Sequence, residues 1–525
     1  MRRTTVRIRK RIFLVWMSLA IFLIFSFGQD KEVRSLSLED CILKALKNNL
    51  NVAVEVYNPE LADLSLTKAK ELFMPRLDLD YDNEQNESPP YWWITGAETI
   101  TSKYSEYRAA IVQQIPTGGS FSLSLASYKS DTNQAFQLIN PRYGSTLRFD
   151  FIQPLLKNFG FKVSRKEIIF AQHNLDISNF ELQAVLLDTI YLVQEAYWNL
   201  VYSIENYQVK KQSLQLAKDL LAKNKKEVEL GQLAPLEILN AETVVASREA
   251  DILQAEFLIL RSEEVLKTII NLQAEGEKVL LSIVPTDKPE FKKKEVRLDE
   301  AMKMAQEKRP DLQMTKKDLE TRELKVSVAR NQMLPALNFQ ASYWSPGVSG
   351  DRLLYEGDDP LRGIIVGKEK GKAGDSLRDA FKLLYRNWTV GLTLSIPLSN
   401  ILTRADYALA QVELDQSQAK LRTLDQQVAL EVSDAVRNVE TNAKRVDAYR
   451  LARELAAKRL EAEEKKLSVG LSTPYFVLEY QEGLANARSM ELKALVDYNL
   501  SLARLEKVVG TSLENRNIKV TDFKR

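Results

Sequence analysis

Residues 68–79 read Lys-Ala-Lys-Glu-Leu-Phe-Met-Pro-Arg-Leu-Asp-Leu, and residues 328–339 read Val-Ala-Arg-Asn-Gln-Met-Leu-Pro-Ala-Leu-Asn-Phe. In both segments a helical pattern ends at a proline, Pro75 or Pro335, and residues of alternating polarity follow. The helical stretches that lead into these prolines also begin at matching positions, Leu38 and Leu298. The chain therefore contains an internal duplication, and the repeated unit changes from helix to strand at a proline.

Two tracts without glycine or proline, residues 161–230 and 398–469, are long enough for helices of about 105 Å each. A glycine and a proline follow each tract, which is typical of a helix end and of the start of a return helix. The return helices, predicted over 236–272 and 475–509, are about half as long, and stacked shorter helices of the repeated unit complete them. Helices of this length indicate a coiled-coil-like assembly.

Six segments alternate between apolar and polar residues, which indicates strands with one apolar and one polar face. They are 76–82, 107–115, 120–126, 146–153, 336–344 and 388–396. This alternation is the signature of a transmembrane barrel, although period two alone also fits a half-buried soluble sheet. One chain supplies too few strands to close a porin-wide barrel, so several copies must share it.

The first repeat has an additional hairpin, residues 107–126, around the turn Pro116-Thr117-Gly118-Gly119. With this hairpin, the first repeat has an even number of strands, so both flanking helices lie on the same side of the sheet. The stretches 88–104 and 345–386 are predicted to be external loops.

The first 28 residues have the pattern of a secretory signal peptide. Six basic residues precede the apolar run Ile12–Phe27, and small residues permit cleavage before Gln29. An uncleaved anchor is the alternative, but the run is shorter than the ~20 residues of a spanning helix. The predicted organisation is a signal peptide 1–28, a first repeat 29–272, a linker 273–295, a second repeat 296–510 and a C-terminal tail 511–525.

The chain has 73 basic and 71 acidic residues, so loss of the basic signal segment leaves an acidic protein, for which no nucleic-acid partner is expected. Cys41 is the only cysteine, which excludes an intrachain disulfide and a CxxC metal site. It lies too far beyond the apolar run to be a lipidation site. His173 is the only histidine, and no catalytic triad, phosphate loop or metal cluster can be assembled. We therefore expect neither an enzyme nor a bound cofactor.

The duplicated order of helix, proline-led strand, strand with a Pro-Leu exit, long helix, glycine turn and return helix resembles the TolC-type outer-membrane efflux proteins. The resemblance extends over about residues 36–510. Its landmarks are Leu38-Glu39, Ala45-Leu46, the helix–strand junctions Pro75, Pro154, Pro335 and Pro397, and the two glycine turns. It implies a mainly α fold with membrane β-structure, in which a homotrimer forms a long periplasmic α-helical barrel and a transmembrane β-barrel shared between protomers.

The resemblance also implies a passive conduit in the outer-membrane lipid bilayer. An inner-membrane transporter of the RND, ABC or MFS type supplies the energy, and a periplasmic adaptor (membrane fusion) protein contacts the helical tips. The candidate contact residues at the tips are Gly231, Leu233, Pro235, Gly470, Leu471 and Pro474.

In this family, acidic residues just past the second tip surround the periplasmic entrance. Aligned on Gly470, they fall on Phe476 and Glu479, so only Glu479 keeps a carboxylate. Glu237 and Asn240 occupy the corresponding places at the first tip. A solvated glutamate on a helix surface is the alternative for Glu479.

Two other functions remain open. A periplasmic coiled-coil adaptor or scaffold would have helical hairpins without a membrane barrel. A channel for protein secretion, as in type I secretion, would share every feature above, because cargo choice depends mostly on the pump.

Overall fold

The computed structural model describes residues 33–92, 95–272, 282–359 and 364–523. The predicted signal peptide and residues 273–281 of the predicted linker lie outside the described residues. The chain forms two compact units, each built from both halves of the sequence. The helical unit comprises the described part of Met1–Glu55 with Gln183–Arg309 and Val428–Asp522, and the sheet unit comprises Val56–Leu182, Pro310–Gln427 and Phe523.

In chain order the α-helices are α1 (Leu38–Asn48), α2 (Leu50–Glu55), α3 (Tyr57–Glu71), α4 (Phe161–Ser164), α5 (Lys166–Glu229), α6 (Leu236–Ile270), α7 (Leu298–Lys308), α8 (Pro310–Gln332), α9 (Ala373–Phe381), α10 (Ile401–Ser468) and α11 (Pro474–Val509). The strands are β1 (Val33–Leu36), β2 (Arg76–Ser88), β3 (Ile100–Gln114), β4 (Ser120–Thr132), β5 (Ile139–Pro154), β6 (Ser282–Pro285), β7 (Ala336–Tyr355), β8 (Ile365–Glu369) and β9 (Asn387–Ser395). No helix in the described ranges combines the length and hydrophobicity that a membrane span requires.

The helical stretches before Pro75 and Pro335 are both interrupted at equivalent places, where the sequence suggested one helix each. Asn49 and Arg309 have extended backbone conformations, with ψ of 129° and 123°. At the second site Pro310 lacks an amide hydrogen and forces the preceding residue out of the α region. At the first, the Asn49 side chain accepts a hydrogen bond from the amide of Asn51 and so begins a new helix.

Helices α5, α6, α10 and α11 pack around an apolar cluster near the two glycine turns. Its buried members are Ala217, Leu220, Ala241, Val245, Leu460, Val477, Leu478 and Leu484. They come from all four helices, so the two hairpins share one core at their tips, and burial of their apolar surface stabilises the helical unit. The first long tract does not begin at residue 161 as one helix, because Arg165 separates α4 from α5 with a ψ of 14°.

A parallel pair of short strands, β1 and β6, was not predicted from the sequence. Part of the predicted linker 273–295 is fixed to the helices. The hydroxyl of the buried Tyr197 donates to a carboxylate oxygen of Asp287 at 2.8 Å, and that of the buried Tyr498 donates to the carbonyl of Lys292 at 2.7 Å.

The sheet unit contains one antiparallel sheet in the order β2-β3-β4-β5-β7. The first part of β7 (Ala336–Trp344) pairs with β9, and its last part (Arg352–Tyr355) pairs with β8. Each of the six alternating segments coincides with a strand to within one residue at its end, or lies inside it, and the additional hairpin joins the sheet as β3 and β4. The stretch 345–386, predicted to be a loop, instead contains the end of β7, β8 and α9.

Candidate functional site

One face of the sheet is apolar across all six long strands. Directly paired residues on neighbouring strands place their side chains on the same face. One row of paired residues consists of Leu77, Ile111, Leu123, Phe149, Tyr343 and Trp388. Leu77 and Trp388, at its two ends, are 61% and 71% exposed. A continuous exposed apolar surface of this extent marks an interface.

The opposite face is polar and lines a cavity of about 590 Å³. Arg108, Ser122 and Arg148 contribute to its wall. The guanidinium of Arg148 pairs with the Asp150 carboxylate at 2.9 Å, and the Ser342 hydroxyl donates to the same carboxylate at 2.6 Å. These contacts neutralise charges that face the cavity, so this side of the sheet fits water and polar solutes.

All four predicted junctions lie at the same end of the strands. Strand β2 begins after Pro75 beside the end of β3, and β7 begins after Pro335 beside the end of β9. Pro154 ends β5 next to Asn338, near the start of β7, and Pro397 follows the end of β9. Helices α3, α4, α8 and α10 therefore all connect to the same end of the strands, as the even strand count required.

The turn of the additional hairpin is fixed to the connection between β5 and α4. The amide of Gly160 donates to the carbonyl of Thr117 at 3.0 Å. Gly118 has a φ of +97°, and a Cβ at this position would lie 2.2 Å from the carbonyl oxygen of Asn158. Asn158 in turn donates its amide to the side chain of Asn331 at 2.7 Å. Hydrogen bonds thus join the two repeats at this end of the strands. Sequence analysis did not predict these contacts.

The two glycine turns have the same hydrogen-bond pattern. Gly231 and Gly470 have φ of 73° and 76°. The amide of the following residue, Gln232 or Leu471, donates back to a carbonyl five positions earlier, at 2.8 and 2.9 Å. This is the Schellman arrangement, in which a left-handed residue closes a helix.

The candidate adaptor contacts differ in accessibility. Gly231, Pro235, Gly470 and Leu471 are exposed, and Leu471 is the most accessible large apolar side chain of the second tip at 77%. Leu233 is half-buried. Pro474 is buried at the first position of α11, where its missing amide hydrogen costs no hydrogen bond.

The four entrance candidates lie in the first turns of α6 and α11. Phe476 and Glu479 are exposed one turn apart on α11, and the Phe476 ring contacts Tyr475 edge-on at 5.6 Å. Glu237 and Asn240 are half-buried on α6. One Glu237 carboxylate oxygen is buried without a hydrogen-bond partner among the described residues.

Each tip also has a buried polar residue that the sequence analysis missed, seven positions before its glycine. At the second tip the Ser472 hydroxyl donates to Glu463 at 2.6 Å, and Lys466 lies 3.1 Å from the same carboxylate. The Ser472 hydrogen bond is the main cause that lowers the pKa of Glu463 below its ordinary value. At the first tip the equivalent residue is Asn224, whose amide lies 3.5 Å from the carbonyl of Glu237. A spacing of seven residues places each polar residue two turns before its glycine, on the same face of the helix. This spacing is the feature of the sequence from which the two residues could have been found.

A buried arginine links three of the four tip helices. Arg248, on α6, is 6% exposed. Its guanidinium donates to the carbonyl of Ser213 on α5 at 2.8 Å and to that of Leu478 on α11 at 3.0 Å. Burial lowers the pKa of Arg248, but the two carbonyls supply hydrogen-bond acceptors in place of water.

Within the part of the chain that the structure describes, no trio of His, Cys, Asp and Glu side chains is arranged to hold a metal ion. Cys41 is buried in α1, and this burial raises the pKa of its thiol to about 12. His173 contacts the hydroxyl of Thr321 at 2.9 Å in the interior of two packed helices.

Comparisons with known proteins give one family match and several similar solved structures. The model of the family described as Outer membrane efflux protein matches residues 301–511. No curated protein sequence matches the chain.

Several solved structures are similar over nearly the whole chain. The CmeC outer membrane channel of Campylobacter jejuni is 16% identical, with a TM-score of 0.61 over 93% of this chain and 90% of that chain. The MtrE outer membrane channel of Neisseria gonorrhoeae, in its open state, is 17% identical, with a TM-score of 0.59 over 91% and 89%. The outer membrane protein VceC of Vibrio cholerae is 14% identical, with a TM-score of 0.59 over 90% and 96%.

These findings confirm the resemblance to TolC-type proteins and the predicted fold class, mainly α with membrane β-structure and internally duplicated. The family match falls on the second repeat, and the solved structures extend the likeness in fold to the first. The chain therefore has the fold of the outer-membrane channels, and its second repeat is similar in sequence to the model of the Outer membrane efflux protein family.

Proposed function

We propose that this chain is the outer-membrane channel of an export system and that cargo passes through it without energy input from the channel itself. The observation that supports this most strongly is the division of the sheet into an exposed apolar face and a polar face that lines a cavity. A barrel with lipid outside and water inside requires this division. A periplasmic adaptor or scaffold has no use for an apolar surface across six strands.

Three copies of the chain close the proposed barrel. Among the described residues, β2 pairs with β3 alone and β9 pairs with β7 alone, so the sheet has two free edges. Unpaired backbone groups are not tolerated in the hydrocarbon core, so each free edge needs a partner. In a homotrimer β9 of one copy pairs with β2 of the next. Six long strands per copy make about 18, a number that leaves an aqueous channel in porins.

The helical tips are the proposed contact with a periplasmic adaptor, which connects the channel to an inner-membrane transporter of the RND, ABC or MFS type. The exposure of Gly231, Gly470 and Leu471 supports this assignment. We assign the periplasmic entrance to Glu479 and Phe476, with Glu237 and Asn240 at the other tip. Three symmetry-related Glu479 carboxylates near a narrow axis would favour cations.

Export by a cleaved signal peptide, residues 1–28, brings the chain to the outer membrane without a lipid anchor. The burial of Cys41 inside α1 supports the absence of lipidation, because no other cysteine is available. The mature chain then consists of the repeats 29–272 and 296–510, with the linker 273–295 between them and the tail 511–525.

A pair of charge substitutions on one strand tests the proposed barrel. Leu123→Arg places a charge on the apolar face of β4, and Ser122→Arg places the same charge on the polar face one residue away. An arginine facing lipid costs ~2–4 kcal/mol at the midplane of the bilayer. We expect Ser122→Arg to give heat-modifiable trimers in the outer-membrane fraction and Leu123→Arg to give none. A soluble wild-type protein, or equal assembly of both variants, would favour the adaptor or scaffold.

The entrance assignment has a separate test in planar bilayers. Glu479→Gln is expected to reduce the preference of the channel for cations, whereas Glu482→Gln, one turn further along α11, leaves it unchanged. Equal selectivity of Glu479→Gln and the wild type would remove Glu479 from the entrance.

At the tip, Gly470→Trp is expected to abolish export while trimers still reach the outer membrane.

A further inference from the structure

Helix α9 lies on the apolar face of the sheet. The hydroxyls of Ser376 on α9 and Ser145 on β5 are hydrogen-bonded at 2.8 Å, and both side chains are buried. Ser145 belongs to the same face as Leu147, because the two are separated by one residue on a strand. A Cβ on Gly347 of β7 would lie 2.0 Å from the carbonyl oxygen of Ser376. Small residues on two strands therefore form the seat for this helix.

The row of the sheet under α9 is where the apolar face ends. Ser145 is paired through Ser127 with Tyr107, which is paired with Tyr81. The two tyrosine rings are stacked at 4.8 Å and are 63% and 58% exposed. Tyrosines in such a row are typical of the boundary between lipid and water.

The next row outward is polar. It contains Asn83, Ser105, Lys129 and Tyr143, and the Ser105 hydroxyl donates to the side chain of Asn83 at 2.9 Å. Helix α9 therefore lies at the boundary between the apolar and the polar part of this face. This boundary is near the ends of the strands that are opposite the helix junctions.

The surface around α9 is both apolar and basic. In the segment 364–386, the most exposed apolar side chains from the end of α9 to β9 are Phe381, Leu384 and Tyr385, each between 56% and 59% accessible. The exposed basic residues of the same segment are Lys368, Lys370, Lys372, Arg378, Lys382 and Arg386. Only three acidic residues stand among them, Glu369, Asp375 and Asp379, and Asp375 pairs with Arg378 at 3.2 Å. The segment thus has an excess of positive charge beside exposed apolar groups.

We propose that α9 and the basic residues on either side of it form an interfacial segment that binds the anionic headgroups of lipids in the outer leaflet of the outer membrane. The seat holds α9 against the sheet at the membrane boundary, the side chains of Phe381, Leu384 and Tyr385 enter the upper hydrocarbon layer, and the lysines of residues 368–372 bind phosphates. Interfacial segments with an apolar side and basic residues lie in the interface plane with their apolar side ~5–10 Å below the headgroups. The inference rests on the proposed function, since it requires the apolar face of the sheet to face lipid.

Spin labels at three single cysteines test the position of α9 in the full-length channel in liposomes. The background is Cys41→Ala, and the labelled variants are Phe381→Cys on α9, Leu123→Cys on the apolar face and Ser122→Cys on the polar face. We expect the Leu123 label to be accessible to oxygen and the Ser122 label to a water-soluble nickel chelate. The Phe381 label should be accessible to oxygen at a shallower depth than Leu123.

The possible outcomes separate the two proposals. A Phe381 label in water beside a Leu123 label in lipid would overturn the inference and leave the channel intact. A Leu123 label in water would overturn the proposed function and the inference with it.

The charge requirement is tested with spin-labelled lipids. The wild type is expected to restrict a phosphatidylglycerol probe more than a phosphatidylcholine probe, with a selectivity at least twofold above unity. The triple variant Lys368→Gln, Lys370→Gln and Lys372→Gln should lose most of this selectivity. A matched triple variant in the helical unit, Lys288→Gln, Lys293→Gln and Lys303→Gln, should keep it. Equal selectivity in both triple variants would overturn the assignment of the headgroup site to the segment around α9.

Discussion

Gly231 and Gly470 hold the left-handed conformation that ends each long helix, and neither has another atom within 4 Å of the position where a Cβ would lie. Space is therefore no obstacle to a side chain, and the cost of a substitution is purely one of backbone conformation. A non-glycine residue in this region costs roughly 1–2 kcal/mol. We expect Gly470→Ala to lower the apparent melting temperature of the helices, measured by circular dichroism at 222 nm.

Gly483 provides the matched control, because it lies within α11, is exposed and also has no neighbour near its Cβ position. Alanine is favoured over glycine inside a helix by about 0.5–1 kcal/mol. Gly483→Ala should therefore raise the melting temperature or leave it unchanged. If Gly483→Ala lowered the melting temperature as much as Gly470→Ala, the left-handed conformation at Gly470 would not be the cause of the loss.

Glu463 makes the second tip dependent on pH. Its pKa is lower in the folded tip than the ordinary value of 4.5, chiefly because Ser472 donates a hydrogen bond to the carboxylate. The ionised form thus stabilises the tip above pH 4.5, and this contribution is lost as the pH falls through the lower folded value. Hydrogen exchange of residues 461–475, corrected for the intrinsic rate, should show the second tip opening below about pH 4.5.

The variant Glu463→Gln cannot titrate, so its tip should show little change in exchange over the same pH range. The first tip has Asn224 at the equivalent position and should likewise be insensitive to this titration. If Glu463→Gln keeps the pH dependence of the wild type, another acidic group controls the opening.

At the scale of elements, the last turn of α8 holds the connection between β5 and α4. Asn331 accepts the amide of Asn158 at 2.7 Å and donates to the carbonyl of Leu156 at 3.2 Å. Each such hydrogen bond contributes about 0.5–1.5 kcal/mol net, so Asn331→Ala should cost roughly 1–3 kcal/mol locally. We expect faster hydrogen exchange at the amide of Gly160, which donates to the hairpin turn, and no change in Asn338→Ala on β7. Unchanged exchange in Asn331→Ala would show that the connection is held by other contacts.

The elements that the sequence predicted are those that depend on local patterns. Alternation over seven to nine residues located every long strand, and the glycine–proline pairs located both tips, because strand faces and helix ends are set by neighbouring residues. The sequence predicted a loop at the position of α9. The helix packs on Ser145 and Gly347, which come from two different strands, and such long-range contacts leave no local pattern in the sequence. Pairing of β1 with β6 and the contacts of Arg248 have the same long-range origin. The role of Glu479 at an entrance stays a prediction, because it depends on other copies of the chain.

At the scale of the whole molecule, the two repeats differ mainly in the number of strands they contribute. The first supplies β2 to β5 and the second supplies β7 and β9 as long strands. Without β3 and β4 the two repeats would contribute equally. Near the helix junctions, β2 and β5 place apolar residues on the same face in the same rows, Leu77 with Phe149 and Leu79 with Leu147. The hairpin is therefore an insertion that widens the wall without changing the direction of any other strand.

Deletion of residues 89–138, with a short flexible connector between β2 and β5, tests this interpretation. Barrel diameter grows roughly linearly with strand number, so a trimer with about 12 strands in place of about 18 should be narrower by about a third. Cryo-electron microscopy of the trimers measures this directly. Removal of residues 115–138, which contain β4 alone, should prevent assembly, because an odd strand number would direct β5 and the following helix to the wrong side. An unchanged diameter after deletion of residues 89–138 would place β3 and β4 outside the barrel wall. Normal trimers after deletion of residues 115–138 would show that the wall does not require antiparallel pairing throughout.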